Sequence, residues 1–234
     1  MNALILGATG ATGKLVVQKM LARDIPVYAV VRDATKLDSI KSPRLTTIQG
    51  TILELSLNAI EEILSDCDVI ISCLGHNITL RGMFGKPGLL VTDSIKRICE
   101  AATKKDKGYK LILMNTTANQ NREISENYSA GDKAVLGLLK MILPPQKDNV
   151  NAAKYLSECI GKNDKVAWIV VRPDTLINEE DVSEYFVYEE IQRSPVFNAG
   201  KVSRINVSDF MVRLATDEIL WDEWKYKMPV LYNA

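Results

Sequence analysis

The stretch LILGATGATGKLVV, residues 4–17, places three glycines at strict three-residue spacing between two apolar runs. Its Gly13-Lys14 end resembles the tail of a triphosphate-binding loop, which needs Gly, four residues, Gly-Lys and then Ser or Thr to ligate magnesium. Counting back from Gly13 puts Ala8 where the first glycine belongs, and Leu15 follows Lys14. That reading fails at both positions.

The same spacing fits a dinucleotide turn. There one glycine permits a tight bend, another lets backbone N–H groups approach a pyrophosphate, and a third allows helix and strand to pack closely. Gly7, Gly10 and Gly13 follow an expected strand and open a helix continuing through Leu15, Val16, Met20 and Leu21. The first turn of that helix has unpaired N–H groups and the positive end of its dipole, which favours phosphate. Thr9, Ala11 and Thr12 line the expected loop, with Thr12 set for a phosphate contact. A glycine-rich turn without a ligand is the alternative.

Outward from this turn, short apolar runs alternate with amphipathic ones. Expected strands are Ala3–Leu6, Val27–Val31, Leu45–Gln49, Val69–Cys73, Lys110–Met114 and Ala167–Val171. Expected helices are Thr12–Arg23, Ala34–Ile40, Leu55–Leu64, Leu89–Lys104, Asp132–Leu143, Val150–Ile160 and, in the tail, Val207–Glu218. The alternation predicts an α/β fold of the Rossmann type, a doubly wound parallel sheet with both faces covered. The glycine- and asparagine-bearing segments His76–Pro87 and Thr117–Ala130 follow strand ends, where such sheets bind ligands. Residues 1–234 read as one domain, with about 173–206 forming a small C-terminal substrate-side cap.

Bulk composition narrows the partners. The 234 residues are 47% hydrophobic and 25% charged, and 29 Lys plus Arg balance 29 Asp plus Glu. No net field draws the chain to nucleic acid or to an anionic membrane. Cys67, Cys73, Cys99 and Cys159 form no Cys-x-x-Cys, so buried reduced thiols are expected rather than a metal site. Without a leader or a long apolar span, the expected setting is cytoplasmic.

The second strand ends VVRDATK, residues 30–36. A carboxylate about 20 residues beyond the glycines favours NAD, whereas arginine suits the 2′-phosphate of NADP. Arg32 can grip a phosphate bidentately, so NADP(H) is expected over NAD(H). Asp33 precedes Ala34 and reads as a helix N-cap, and Lys36 is either a second cation or a solvated one.

GATGATGK, VVRDATK, SCLGHN, LMNTTAN and WIVVRPDTL together resemble the atypical short-chain dehydrogenase/reductases, in particular the NmrA-like and biliverdin-IXβ/flavin reductase group, from Leu4 to about Leu231. The resemblance implies a phosphate loop of Gly7, Thr9, Gly10, Thr12 and Gly13, an NADP-selecting Arg32, and Cys73, Leu74 and Gly75 passing under the ribose. Where the family usually has Asp beside adenine, this chain has Thr51 and then Ile52, implying a hydroxyl contact and an apolar ring face. In NVNAAKYL, Lys154 takes the lysine position of Tyr-x-x-x-Lys and Val150 the tyrosine position, and valine donates no proton. Lys154 then either binds ribose or nicotinamide or is merely exposed.

Thr116 and Thr117 take the strand-end place that faces nicotinamide in the family, or else cap the strand. His76, the only histidine, is an acid, a cofactor contact or a loop residue. Arg172 binds an anion or loop carbonyls, and Tyr185, Phe186 and Tyr188 stack on a flat substrate or pack the cap. These residues imply an NADPH-dependent reductase acting on a flavin, quinone or tetrapyrrole-like small molecule. A non-catalytic redox sensor with a protein partner is the alternative, and a nucleotide-sugar epimerase or dehydratase the third. Oligomeric state is left open.

Overall fold

The computed structural model describes residues 1–76, 85 and 88–234; most of the expected His76–Pro87 loop lies outside them. The first three strands, β1 (Ala3–Leu6), β2 (Val27–Val31) and β3 (Leu45–Gln49), have the expected bounds. They are followed by β4 (Val69–Ser72), β5 (Tyr109–Met114) and β6 (Val166–Pro173). The described helices are α1 (Ala11–Leu21), α2 (Leu57–Ser65), α3 (Leu90–Thr103), α4 (Ala130–Ile142), α5 (Pro144–Lys154), α6 (Arg204–Thr216) and α7 (Glu218–Trp224).

Strand periodicity builds two cores. Alternate side chains of a strand point to opposite faces. Ala3 and Ile5 therefore pack with Val16, Met20, Phe210 and Met211 of α1 and α6, while Leu4 and Leu6 pack with Ile60, Leu64, Ile95 and Leu156 on the other face. Both layers are apolar, so the strands read as continuous hydrophobic runs.

The eight-stranded sheet has the order β3-β2-β1-β4-β5-β6-β10-β8, where β10 is Val230–Asn233 and β8 is Tyr185–Tyr188. All pairings from β3 to β10 are parallel, and β8 closes the edge antiparallel to β10. Strand order reverses between β1 and β4, which opens a crevice at their carboxyl ends.

Three features depart from the expectation. Residues 173–206, expected as a cap, put β8 into the main sheet and pair β7 (Thr175–Ile177) with β9 (Lys201–Ser203) in a small second sheet. Helix α5 starts at Pro144 rather than Val150, because proline is tolerated in a first turn whose N–H groups have no intrahelical acceptor. The helix then continues as a π turn, Tyr155–Ile160. The expected Val207–Glu218 helix is α6, which starts earlier, at Arg204, and ends at Thr216; Asp217 then caps α7, its carboxylate accepting the Ile219 and Leu220 N–H groups.

Candidate functional site

The three glycines of the loop answer to different constraints. Gly7 has φ +73°, and a Cβ there would lie 2.5 Å from the Cys73 carbonyl oxygen. A Cβ on Gly13 would lie 2.2 Å from the Gly7 carbonyl oxygen. These two glycines let β1, β4 and α1 meet. Gly10 is different: the nearest atom to an added Cβ is 3.3 Å away, and the residue is exposed.

Gly10 N–H donates to Gly7 O at 3.0 Å, closing the turn, and Lys14 N–H donates to Gly10 O at 2.9 Å, starting α1. Gly10 offers no side-chain cap and the first turn has no acidic residue, so its N–H groups and dipole meet no built-in anion. Ala11 is exposed at that turn, whereas Thr12 is buried and Gly13 packs against the loop beneath it. Lys14 turns away to Ser39 Oγ at 2.8 Å, which removes it from any phosphate role.

This turn forms one wall of a cleft of about 600 Å³. Gly7, Thr9 and Gly10 line that wall; Arg32, Lys36, Thr51, Ile52, Leu53 and Glu54 line one end; Cys73, Leu74, Gly75, Leu90 and Ser94 line the other side. Nine of the residues expected to bind cofactor are thus gathered in one crevice at the reversal of strand order.

At the β2 end, Asp33 is taken up as expected. It caps the 3₁₀ turn Ala34–Leu37, accepting Thr35 N–H at 3.1 Å and Thr35 Oγ1–H at 2.6 Å. The Thr35 hydroxyl holds its carboxyl below the usual range. The Arg32 guanidinium has no hydrogen bond or ion pair among the described residues. Thr51 donates its hydroxyl to Glu54 Oε2 at 2.9 Å. On the β4 side, burial pushes the Cys73 thiol up to about 12, so it stays a neutral wall and not a nucleophile.

The remaining expected residues sit elsewhere. Thr117 is buried; its N–H donates to Pro173 O at 3.2 Å, and its carbonyl accepts the Tyr128 hydroxyl at 2.5 Å. Burial raises the Tyr128 phenol, which keeps it a neutral donor. Thr116 Oγ1 accepts Ala118 N–H at 3.2 Å, a strand-end cap. His76 Nε2 lies 2.8 Å from Asp148 Oδ2, and Asp148 also accepts the Val91 and Thr92 N–H groups at 2.8 and 2.9 Å. A fully buried carboxylate from α5 therefore joins the end of β4 to the start of α3.

Lys154 stands apart. It pairs with Glu158 at 3.4 Å, its side chain is 55% exposed, and it lines a separate groove with Val150, Asn119 and Lys140. The reason is helix phase: Asp148, Ala152 and Leu156 face the core, and two residues of 100° each turn Val150 and Lys154 away. Arg172 binds no free anion either. Its guanidinium meets Glu126 Oε2 at 2.7 Å and Oε1 at 3.0 Å, and also donates to Met228 O and Asn119 O.

Glu54, Leu53, Leu90 and Ser94 of the cleft escaped sequence reasoning, as did Glu126 and Asp148. For Glu54 a signal existed in its position three residues beyond Thr51, the reach of one turn. Glu126 lies 46 residues from its arginine and gave none.

A dinucleotide fits these residues: a helix start without its own anion, a glycine open to close approach, and at the far end a guanidinium with no partner among the described residues. Residues 7–218 match the sequence model of the NAD(P)H-binding family. The chain belongs to this family. The resemblance to the atypical short-chain dehydrogenase/reductases therefore holds, and the cofactor is a nicotinamide dinucleotide.

Solved structures share the fold over the whole chain. The oxidoreductase ylbE from Lactococcus lactis is 20% identical, with 100% of this chain and 91% of that one aligned at a TM-score of 0.72. ChuY, an anaerobillin reductase from Escherichia coli O157:H7, is 17% identical over 100% and 97% of the two chains, with a TM-score of 0.71. A Streptococcus pneumoniae protein provisionally assigned as an NADH-flavin reductase is 17% identical over 100% of both chains, with a TM-score of 0.69. No curated protein sequence matches the chain. Among the described residues no helix is long and apolar enough to cross a membrane.

Proposed function

We propose that the protein is an NADPH-dependent reductase passing hydride to a small or flat conjugated acceptor of the flavin, quinone or tetrapyrrole type. The observation that carries this reading is a cleft that gathers Gly7, Thr9, Gly10, Arg32 and Cys73 to Gly75 and has no tyrosine among the described residues that line it. Bound reduced nicotinamide supplies the hydride. The chain's own task is to hold and orient: Gly10 and the α1 start at the diphosphate, Arg32 at the 2′-phosphate, and Cys73 to Gly75 beneath the ribose. Wall residues such as Leu74 and Leu90 exclude water from the reacting face.

An acceptor that delocalises the incoming charge needs no dedicated acid, and its proton comes from water. Two relatives in fold, one named an anaerobillin reductase and one assigned to flavin reduction, lend support. A non-catalytic sensor that exchanges a protein partner on cofactor binding is the second reading. It is favoured by His76, whose ring is engaged with buried Asp148, and by Thr117, which is buried and absent from the cleft lining.

Turnover separates the two. Purified protein with NADPH and a panel of flavins, quinones and biliverdins is expected to consume the reduced-nicotinamide absorbance with at least one acceptor class. Tight NADPH binding without oxidation by any acceptor would establish the sensor instead.

A further inference from the structure

We propose that Glu54 recognises the adenine exocyclic amine and makes the cleft selective for adenine dinucleotides, a role that the expected strand-end position, Thr51, cannot fill as a hydroxyl alone. The inference rests on the dinucleotide reading of the cleft and adds the residue that reads the base.

Four observations converge. Glu54 is the one carboxylate among the described residues lining the cleft, and it lies at the end that carries Arg32 and Lys36. Its Oε2 accepts the Thr51 hydroxyl at 2.9 Å, which fixes the side chain and leaves Oε1 open to a donor. It forms no ion pair with Arg32 or Lys36, so neither cation consumes it. The turn carrying it is held from below: Glu54 N–H donates to Thr51 O at 3.0 Å, and Arg97 of α3 donates from Nε to Ile52 O at 2.9 Å and from its guanidinium to Leu55 O.

The chemistry is specific. A carboxylate accepts hydrogen bonds and donates none at neutral pH. Adenine presents an amine at C6, whereas hypoxanthine presents a carbonyl there, which would face the carboxylate acceptor to acceptor. The buried Ile52 beside the turn supplies the apolar edge against which a base can lie. Thr51 thus acts by holding Glu54, and Glu54 by contacting the base.

The test compares binding of NADPH with that of reduced nicotinamide hypoxanthine dinucleotide phosphate, followed by nicotinamide fluorescence, in the wild type and in Glu54→Gln. A hydrogen bond to a charged acceptor corresponds to about a tenfold preference for adenine in the wild type. The glutamine can donate to the hypoxanthine carbonyl, so the preference is expected to fall to about twofold or less while the melting temperature stays put. An equal affinity of the wild type for both dinucleotides, or a tenfold preference retained in E54Q, would overturn the assignment and leave the dinucleotide cleft intact. Failure of the wild type to bind NADPH at all would remove both.

Discussion

The two halves of the sheet's carboxyl edge dispose of their polar groups in opposite ways. Beyond β1, β2 and β4, the donors stay open: Gly10 and the α1 start face a cleft, and the Arg32 guanidinium has no partner among the described residues. Beyond β5 and β6 they are sealed. Arg172 and Glu126 are both fully buried, and Glu126 further accepts Asn121 N–H at 2.7 Å and Ile191 N–H at 2.8 Å. Asp132 likewise ties Ser129 at 2.6 Å to Ser194 at 2.5 Å. An open donor costs little while water reaches it, whereas a buried one must find a partner. The first half is therefore built to receive a ligand, and the second to hold the chain that surrounds it.

The contrast is tested most severely at Arg172. Arg172→Ala strands the Glu126 carboxylate in a sealed site, so unfolding in urea should show a loss of about 3–5 kcal/mol. The paired change Arg172→Met with Glu126→Leu removes both charges and should recover only part of it, because the Asn121 and Ile191 N–H groups and the Met228 and Asn119 carbonyls lose their partners. NADPH affinity of the folded fraction should hardly change. A loss below about 1 kcal/mol for the single change would mean that the pair is dispensable, and the division between a sealed and an open half would collapse.

Gly10 and Gly7 split the same contrast within one loop. Gly10→Val puts a Cβ 3.3 Å from the Gly7 carbonyl oxygen, a tighter contact than usual but far looser than at Gly7 or Gly13, so stability should fall by about 1 kcal/mol, while the side chain stands where the proposed diphosphate comes. NADPH and NADH binding should both fall beyond about a hundredfold in titration calorimetry. Gly7→Ala adds a Cβ in a left-handed backbone against the Cys73 carbonyl and should lower the melting temperature first. Retained affinity in G10V would take the loop out of the binding site.

How much of this was readable follows the same line. The cleft wall was legible because it is local: the glycine triplet, the strand before it and the helix after it lie within residues 4–17, and Arg32 and Asp33 adjoin one strand end. The sealed half was not, since Arg172 finds Glu126 across 46 residues and no spacing encodes such a pair. Alignment to Tyr-x-x-x-Lys left two readings of Lys154 open, cofactor contact or mere exposure, for a different reason. Assigning Val150 and Lys154 to a motif set the helix phase by identity, while burial of Asp148, Ala152 and Leu156 set it by packing. Strands β8 and β10 were hidden because short four-residue runs carry too little pattern to separate them from loop.

The smallest effect concerns cofactor choice, and it asks how open the open half is. Arg32 is exposed, so its attraction for a 2′-phosphate is screened by water and salt and is worth far less than a buried pair. Arg32→Ala should weaken NADPH by about tenfold and NADH by less than about twofold, because only NADPH carries the added phosphate. Asp33 does not oppose the proposed preference for NADPH: its carboxylate is committed to Thr35. Lys36 lines the same end and should contribute a smaller, more salt-sensitive share. Raising ionic strength should therefore compress the NADPH-to-NADH ratio in the wild type and leave it nearly flat in R32A. Equal losses for the two cofactors would instead make Arg32 a platform for the adenine face, and the preference for NADPH would need another source.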